Sequence, residues 1–382
     1  MTERMSAFAG PRALAPLFSV LAVAACSHVA PAGGDGGVGP GTDAETETET
    51  GSETESPPPC SPDFHAIYGV SDDDVYAVGS CGFALRFDGD AWQPLDFDAA
   101  IDFEDVWGSG PSDVFFAGAQ RTELPEVAQE ECGDLWDSSD GCYASSAVVY
   151  HFDGAAWELA LERPKNTWFR AIGGSGAQVV AGGGKYDVGG EFWRFDGASW
   201  SGLDALSYVV TTEAIWIIGS RMWVAYNGIM DLDGYTRCYV DWFDAAASGQ
   251  VCPDDHLDCS DLWMDEGGRF IAVGDDLIVF YDGASCAFEA LPEGNGGLNA
   301  VWGRSLDDVW AVGDLGAVLH RSGGVWSEIP VPGELDDVWF VDVWASADAV
   351  YVVGNYYIGA DEVEWVPVIV AYRDGAWSVE YE

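Results

Sequence analysis

At 382 residues the chain has room for one to three ordinary domains, and its 48 Gly, 18 Trp and 13% aromatic content point away from long helices toward short strands and many turns. It carries 65 acidic against 15 basic groups, a formal net charge of −50, and residues 61–382 alone hold 57 of the acids and 13 of the bases. Such a surface repels nucleic acid and anionic lipid headgroups, and no Lys/Arg cluster offsets it.

Residues 1–25 read as an export signal. Arg4 and Arg12 lead into an apolar stretch, Ala13 to Ala25, that contains Pro16 and is too short to span a bilayer as a helix. It ends in Val23-Ala24-Ala25-Cys26, which resembles the bacterial lipobox. That resemblance implies a lipidated Cys26 as the new N-terminus, with Ser27 suiting outer-membrane sorting in a Gram-negative envelope. Residues 26–60 are rich in Gly, Thr, Glu and Pro and nearly devoid of apolar side chains. They cannot bury enough surface to offset chain entropy, so they read as a disordered tether.

From Phe64 onward one unit recurs. The Gly that ends its second apolar run falls at Gly79, Gly118, Gly183, Gly219, Gly274, Gly313 and Gly354, in steps of 39, 65, 36, 55, 39 and 41 residues. A second marker is a turn at Asp88-Gly89, Asp153-Gly154, Asp196-Gly197, Asn227-Gly228, Asp282-Gly283, Ser322-Gly323 and Asp374-Gly375. These dipeptides tolerate the positive φ of a tight hairpin. An aromatic opens the fourth strand at Trp92, Trp157, Trp200, Trp326 and Trp377. Seven four-stranded units of about 40 residues predict an all-β, seven-bladed β-propeller over residues 61–382, monomeric, with insertions at about 119–146 and 229–259. The unit resembles sialidase-type and photosystem-assembly-factor propeller repeats, and looks like those of Gram-negative propeller lipoproteins, over Phe64 to Glu382. The sialidase Asp-box sets its Asp five residues before its Trp. Asp88 and Trp92 here are four apart, which weakens the enzymatic relatives as models.

Turns alternate between the two ends of an antiparallel blade, so second turns and blade-to-blade connections share one face. That face collects the long insertions, and per-repeat insertions commonly bind partners. Setting Cys26 aside leaves eight cysteines, an even number suited to disulfides in an exported chain. Cys60 with Cys81 and Cys132 with Cys142 are the expected pairs. Among Cys238, Cys252, Cys259 and Cys286 two arrangements compete: Cys259 with Cys286, or Cys238 with Cys286 and Cys252 with Cys259. Aromatics among acids on the insertion face, Trp136, Tyr143, Tyr186, Tyr235, Trp242, Tyr356 and Tyr357, suit a glycan or a protein partner.

Catalytic signals are weak. His151 and His320 occupy third-strand slots that hold Arg86 and Arg194 in other copies, so they read as repeat positions. Asp72-Asp73-Asp74, Asp113 and Asp307-Asp308 recur at the first turn and are expected to accept backbone N–H bonds. Trp302, Trp310 and Trp326 read as blade packing. Asp231-x-Asp233-Gly234 matches part of a calcium loop, but Ile229 and Val240 stand where the first and last ligands belong. Asp231, Asp233, Asp254, Asp255 and His256 are the weak metal candidates, with calcium the only cofactor considered. No nucleophile or nucleotide-loop motif stands out. The expectation is a lipid-anchored, non-enzymatic binding or scaffold protein, membrane-held through its N-terminal lipid. The alternative is a glycoside hydrolase or lyase using carboxylates on the same face.

Overall fold

The computed structural model describes residues 60–123, 143–164, 166–185, 189–203, 206, 211–227, 238–252, 259–275, 277–291, 296–358 and 364–382. Residues 1–59, Cys26 among them, lie outside them. Seven four-stranded sheets form, each pairing its strands antiparallel in strict chain order. The innermost strands are β1 (Phe64–Ser71), β5 (Ile101–Gly110), β9 (Thr167–Ser175), β13 (Thr211–Ile218), β17 (Asp261–Met264), β21 (Leu298–Ser305) and β25 (Trp339–Ala345). This is the seven-bladed propeller expected from the repeat. No helix of the described residues is long and apolar enough to cross a membrane.

The core is divided by blade. Seven apolar clusters are buried, and each draws side chains from two adjacent sheets, as Phe64, Ile67 and Leu85 of the first blade pack on Trp344 and Tyr351 of the last. A blade cannot bury both faces alone, so the ring must close for any blade to be covered. Here it closes without sharing a strand between the chain ends, since β1 and β25 begin separate sheets.

The repeating Gly has a steric cause. A bulge in the first strand, between Phe64 and Ala66 in blade one, carries the backbone toward the end of strand two. A methyl on Gly79, Gly118, Gly183 or Gly313 would collide with the carbonyl of Asp63, Asp102, Trp168 or Gly297. In blade four Tyr226 stands in this place, across the corresponding bulge from Thr212. Gly219 instead sits in the first turn with φ +63°, so the fourth marker was misassigned. Asn227 ends β14 (Arg221–Asn227), and the third turn of that blade is Asp244–Ala247. Blade four therefore carries its insertion in the second turn, before β15 (Cys238–Phe243), with a further connection after β16 (Ser248–Val251). Both still leave from the insertion face, because the parity of turns is unchanged.

Two insertions leave this face as extended ladders. In blade two, β6 (Asp113–Glu123) and β7 (Tyr143–Phe152) stay paired out to Glu123 and Tyr143. In blade seven, β26 (Val350–Ile358) and β27 (Glu364–Arg373) stay paired out to Ile358 and Glu364. The third turns are built alike. Asp88, Asp153, Asp196, Asp244 and Asp282 each accept two backbone N–H bonds through Oδ1, at 2.7–3.1 Å. Those bonds hold the five carboxyls below the usual carboxylate range.

The first-turn carboxylates do a different job from the one expected. Asp74 takes Arg86 Nε at 2.7 Å, Asp113 takes His151 Nε2 at 2.8 Å, and Asp308 takes His320 Nε2 at 2.9 Å. The pairing is a cross-strand contact between a carboxylate on strand two and an Arg or His nitrogen on strand three. It explains the interchange of His and Arg at that slot, and the two His rings also stack on Phe115 and Trp310.

Candidate binding site

The seven inner strands run in one direction, so residues at equal register form rings around the axis. They enclose a cavity of about 560 Å³ lined by all seven strands. The ring nearest the insertion end contains His65, Glu104, Arg170, Glu213 and Asn299. One residue further along, the strands are of two types. Blades two, five and seven place Asp105, Asp261 and Asp342; the other four place Ala66, Ala171, Ala214 and Ala300. Two residues beyond that comes an aromatic belt in which Tyr68, Trp107, Trp216 and Trp302 line the cavity.

The three aspartates are seam fasteners. Asp105 Oδ2 accepts the N–H of Ile172 at 2.7 Å, Asp261 Oδ2 that of Val301 at 2.9 Å, and Asp342 Oδ2 that of Ile67 at 2.7 Å. Each Oδ1 accepts its own next N–H, from Val106, Leu262 or Val343, at 2.6–2.7 Å. The Trp two residues on then lies over a glycine of the following blade. A methyl on Gly69 or Gly174 would come 2.5 Å from the ring of Trp344 or Trp107, and one on Gly303 would come 2.8 Å from Trp263. Glycine is required there by close approach, since none of the three has a positive φ. Burial, the dominant cause, pushes the Asp105 and Asp261 carboxyls up to about 7 against the pull of their two N–H bonds. Asp342 is raised well above the carboxylate range by burial and by the charges of Asp261 and Asp105.

The polar ring is cross-linked. Arg170 Nε meets Glu213 Oε2 at 3.2 Å. Asn227 bonds both the carbonyl and the N–H of Cys259, at 2.8 and 2.9 Å. Asn355 does the same for Phe64, at 2.9 and 2.8 Å. Burial opposes charge on His65, but Asp63, Glu104 and the Phe103 carbonyl outweigh it and raise the imidazole to about 9.

The sites expected from the sequence fare unevenly. Cys60 pairs with Cys81 as expected. Cys238 pairs with Cys259 and Cys252 with Cys286, so both arrangements weighed above are corrected. Parity places Cys252 and Cys286 at opposite ends of their strands. The twist across four strands turns the outer strands well away from the axis, so such ends can meet at the rim of adjacent blades. These three disulfides belong to an oxidising compartment. Trp242 is also corrected. It lies beside the third turn, at the end opposite the insertions, with the Arg221 guanidinium 3.9 Å over its ring. Tyr356 is on the insertion face, where its hydroxyl bonds Glu382, and that bond first, then burial, pushes the phenol up to about 12. Trp302, expected only to pack a blade, lines the axial cavity. Cys132, Cys142, Trp136, Tyr186, Tyr235, Asp231, Asp233, Asp254, Asp255 and His256 lie outside the described residues, as do the side chains of Tyr143 and Tyr357. Among the described residues no group of three or more His, Cys, Asp or Glu is arranged to hold a metal ion.

Sequence reasoning passed over two features. The first is the Asp–aliphatic–Trp triplet of blades two, five and seven, which shows once the inner strands are aligned. The second is an aromatic pair at the base of the blade-seven arm, Trp339 and Trp365, with ring centroids 5.6 Å apart. Trp339 is 45% exposed and the neighbouring Ile358 is 49% exposed.

No known protein-family model matches the chain, and no curated protein matches it in sequence. Solved structures do match in shape. YCF48 bound to a D1 peptide aligns at TM-score 0.54 and 14% identity, covering 78% of this chain and 91% of that one. YCF48 from Cyanidioschyzon merolae aligns at 0.53 and 13%, covering 83% and 97%. The WD40 β-propeller domain of Doa1 aligns at 0.52 and 14%, covering 81% and 93%. The resemblance read in the repeats is thus met at the level of fold: this chain is a seven-bladed propeller similar to the photosystem assembly factor YCF48.

Proposed function

We propose that this chain is an exported, lipid-anchored binding protein of the cell envelope that engages a protein partner with its insertion-bearing face. The observation that carries the reading is a coincidence of position. The polar mouth of the axial cavity, the two extended arms and the exposed Trp339, whose ring meets Trp365, all belong to one end of the propeller. Exposed aromatics beside a rim of carboxylates have the anatomy of a protein-binding patch. Among similar folds, YCF48 has been captured with a peptide, which supports a peptide or protein as the ligand class over a glycan. The tether from Cys26 would hold the domain near a membrane.

A photo-crosslinking residue placed at Trp339 in the living host should give a discrete protein adduct. The same residue at exposed Val325, on the opposite end, should give none. Equal adducts from both positions, or none from position 339, would remove the reading. A Cys26→Ala chain should fail to incorporate a fatty-acid label if the anchor is assigned correctly.

A further inference from the structure

The axial cavity contains more than the fasteners of a ring. Its lining includes six carboxylates, from Asp105, Asp261, Asp342, Glu104, Glu213 and Asp275, against a single Arg and a single His. The Arg is already paired with Glu213 and the His lies beside Asp63 and Glu104. The three deep aspartates keep some surface open to the cavity while protein encloses them. Each of their oxygens accepts one N–H and can accept another bond.

Beside these charges stand aromatic walls. Tyr68 meets Trp302 edge to face at 5.5 Å and 89°, and Trp302 meets Trp216 at 6.0 Å. The Trp216 and Trp302 indole N–H groups are spent on the carbonyls of Leu262 and Ala345, which fixes the rings. Tyr68 differs. Its ring is enclosed and lines the cavity, yet its hydroxyl has no hydrogen-bond partner among the described residues. Burial, with the charge of Asp105, pushes that phenol up to about 12, so it remains a donor and acceptor at neutral pH.

Above pH 7, where Asp105 and Asp261 ionise, an enclosed space with net negative charge, fixed aromatic faces and an unused hydroxyl has the chemistry that recognises an organic cation. A bare metal ion fits less well, since the carboxylates sit on three separate seams and none of them is grouped with two others at ligand distance. We propose that the axial cavity binds one organic cation, an ammonium or guanidinium group, between the Tyr68, Trp216 and Trp302 rings and the Asp105, Asp261 and Asp342 carboxylates. This deepens the binding reading above: the cation is either the Lys or Arg side chain of the partner or a free small amine.

The test is calorimetric titration of the purified protein at pH 8.5 with n-butylammonium, tetramethylammonium and n-butylguanidinium chlorides, with n-butanol as the neutral comparison, at constant ionic strength. The organic cations should bind saturably at one site and n-butanol should not. Tyr68→Leu and Asp261→Asn should each weaken cation binding roughly tenfold or more. Asp90→Asn, at an exposed turn, should leave it unchanged. If Asp261→Asn does not fold, Tyr68→Leu carries the test, because it breaks no hydrogen bond. Displacement of butylammonium by a Lys-bearing peptide would identify a protein side chain as the source. Retained ammonium binding without displacement would identify a free amine, and either result supports the cavity assignment. Equal responses to cations and butanol, binding of calcium alone, or full affinity in a folded Tyr68→Leu protein would overturn it. Cross-links at position 339 that persist while cation binding is absent would sink this inference and leave the partner reading standing.

Discussion

The seams of this ring are not fastened alike. At the joins between blades two and three, five and six, and seven and one, an Asp bonds the neighbouring backbone and a Trp covers a neighbouring Gly. The join between blades four and five has Ala214 in place of the Asp, and its inner strand β17 is only four residues long. A second void of about 300 Å³ opens there at the first-turn end, beside Arg221, Asp244 and Gly268. Two of the three described disulfides, Cys238–Cys259 and Cys252–Cys286, cross this same join. Aspartate bonds and Trp–Gly contacts fasten three joins, and disulfides cross the four–five join, which lacks both among the described residues.

That contrast can be broken from either side. The largest effect should come from Trp344→Ala, which removes a buried ring from the join between blades seven and one. A loss of about 3–5 kcal/mol is expected in denaturant unfolding. A loss under about 1 kcal/mol would mean the Trp–Gly contact is not a fastener.

Replacing Cys252 and Cys286 by Ser frees a 34-residue separation and should cost about 3 kcal/mol. Hydrogen exchange should then accelerate first in Ser248–Val251 and Asp261–Met264. Uniform acceleration around the ring would contradict a local weakness at that join.

Asp261→Ala leaves the N–H groups of Leu262 and Val301 without their acceptor. A cost of about 2 kcal/mol is expected, with faster exchange at Leu298–Ser305 and little change in Thr211–Ile218.

A pH dependence is expected as well. Asp105 and Asp261 titrate near 7 in the folded protein, above the ordinary 3.8. A raised carboxyl pKa means the folded state holds its proton longer than the unfolded chain. Its stabilising contribution is complete below about pH 4 and is lost as the pH rises through 7. The melting temperature should therefore rise on acidification from pH 8 to pH 5, and the slope should flatten in Asp261→Asn. An unchanged slope in that variant would assign the pH dependence to surface charge repulsion alone.

Much of the architecture was legible because each blade repeats the same local chemistry. The Gly that ends strand two and the Asp that caps the third turn recur for steric and hydrogen-bonding reasons acting within one blade. Blade four misled for the same reason, since Tyr226 replaces its marker Gly and a turn glycine nearby imitates it. The candidate site was harder to see. Trp302 looks like any other repeat tryptophan until seven inner strands are set around one axis. Trp242 looks like an insertion residue until the third turn of blade four is placed at Asp244.

The sequence by itself determined the number of blades, their strand order and the face that gathers the insertions, because period, turn chemistry and strand parity are properties of the chain in order. Tertiary structure alone decided how the cysteines of blades four and five pair, which carboxylates fasten seams and which aromatics line the cavity. Those contacts join residues of different blades, between 21 and 275 positions apart, and no local pattern carries the angle at which one blade is set against the next.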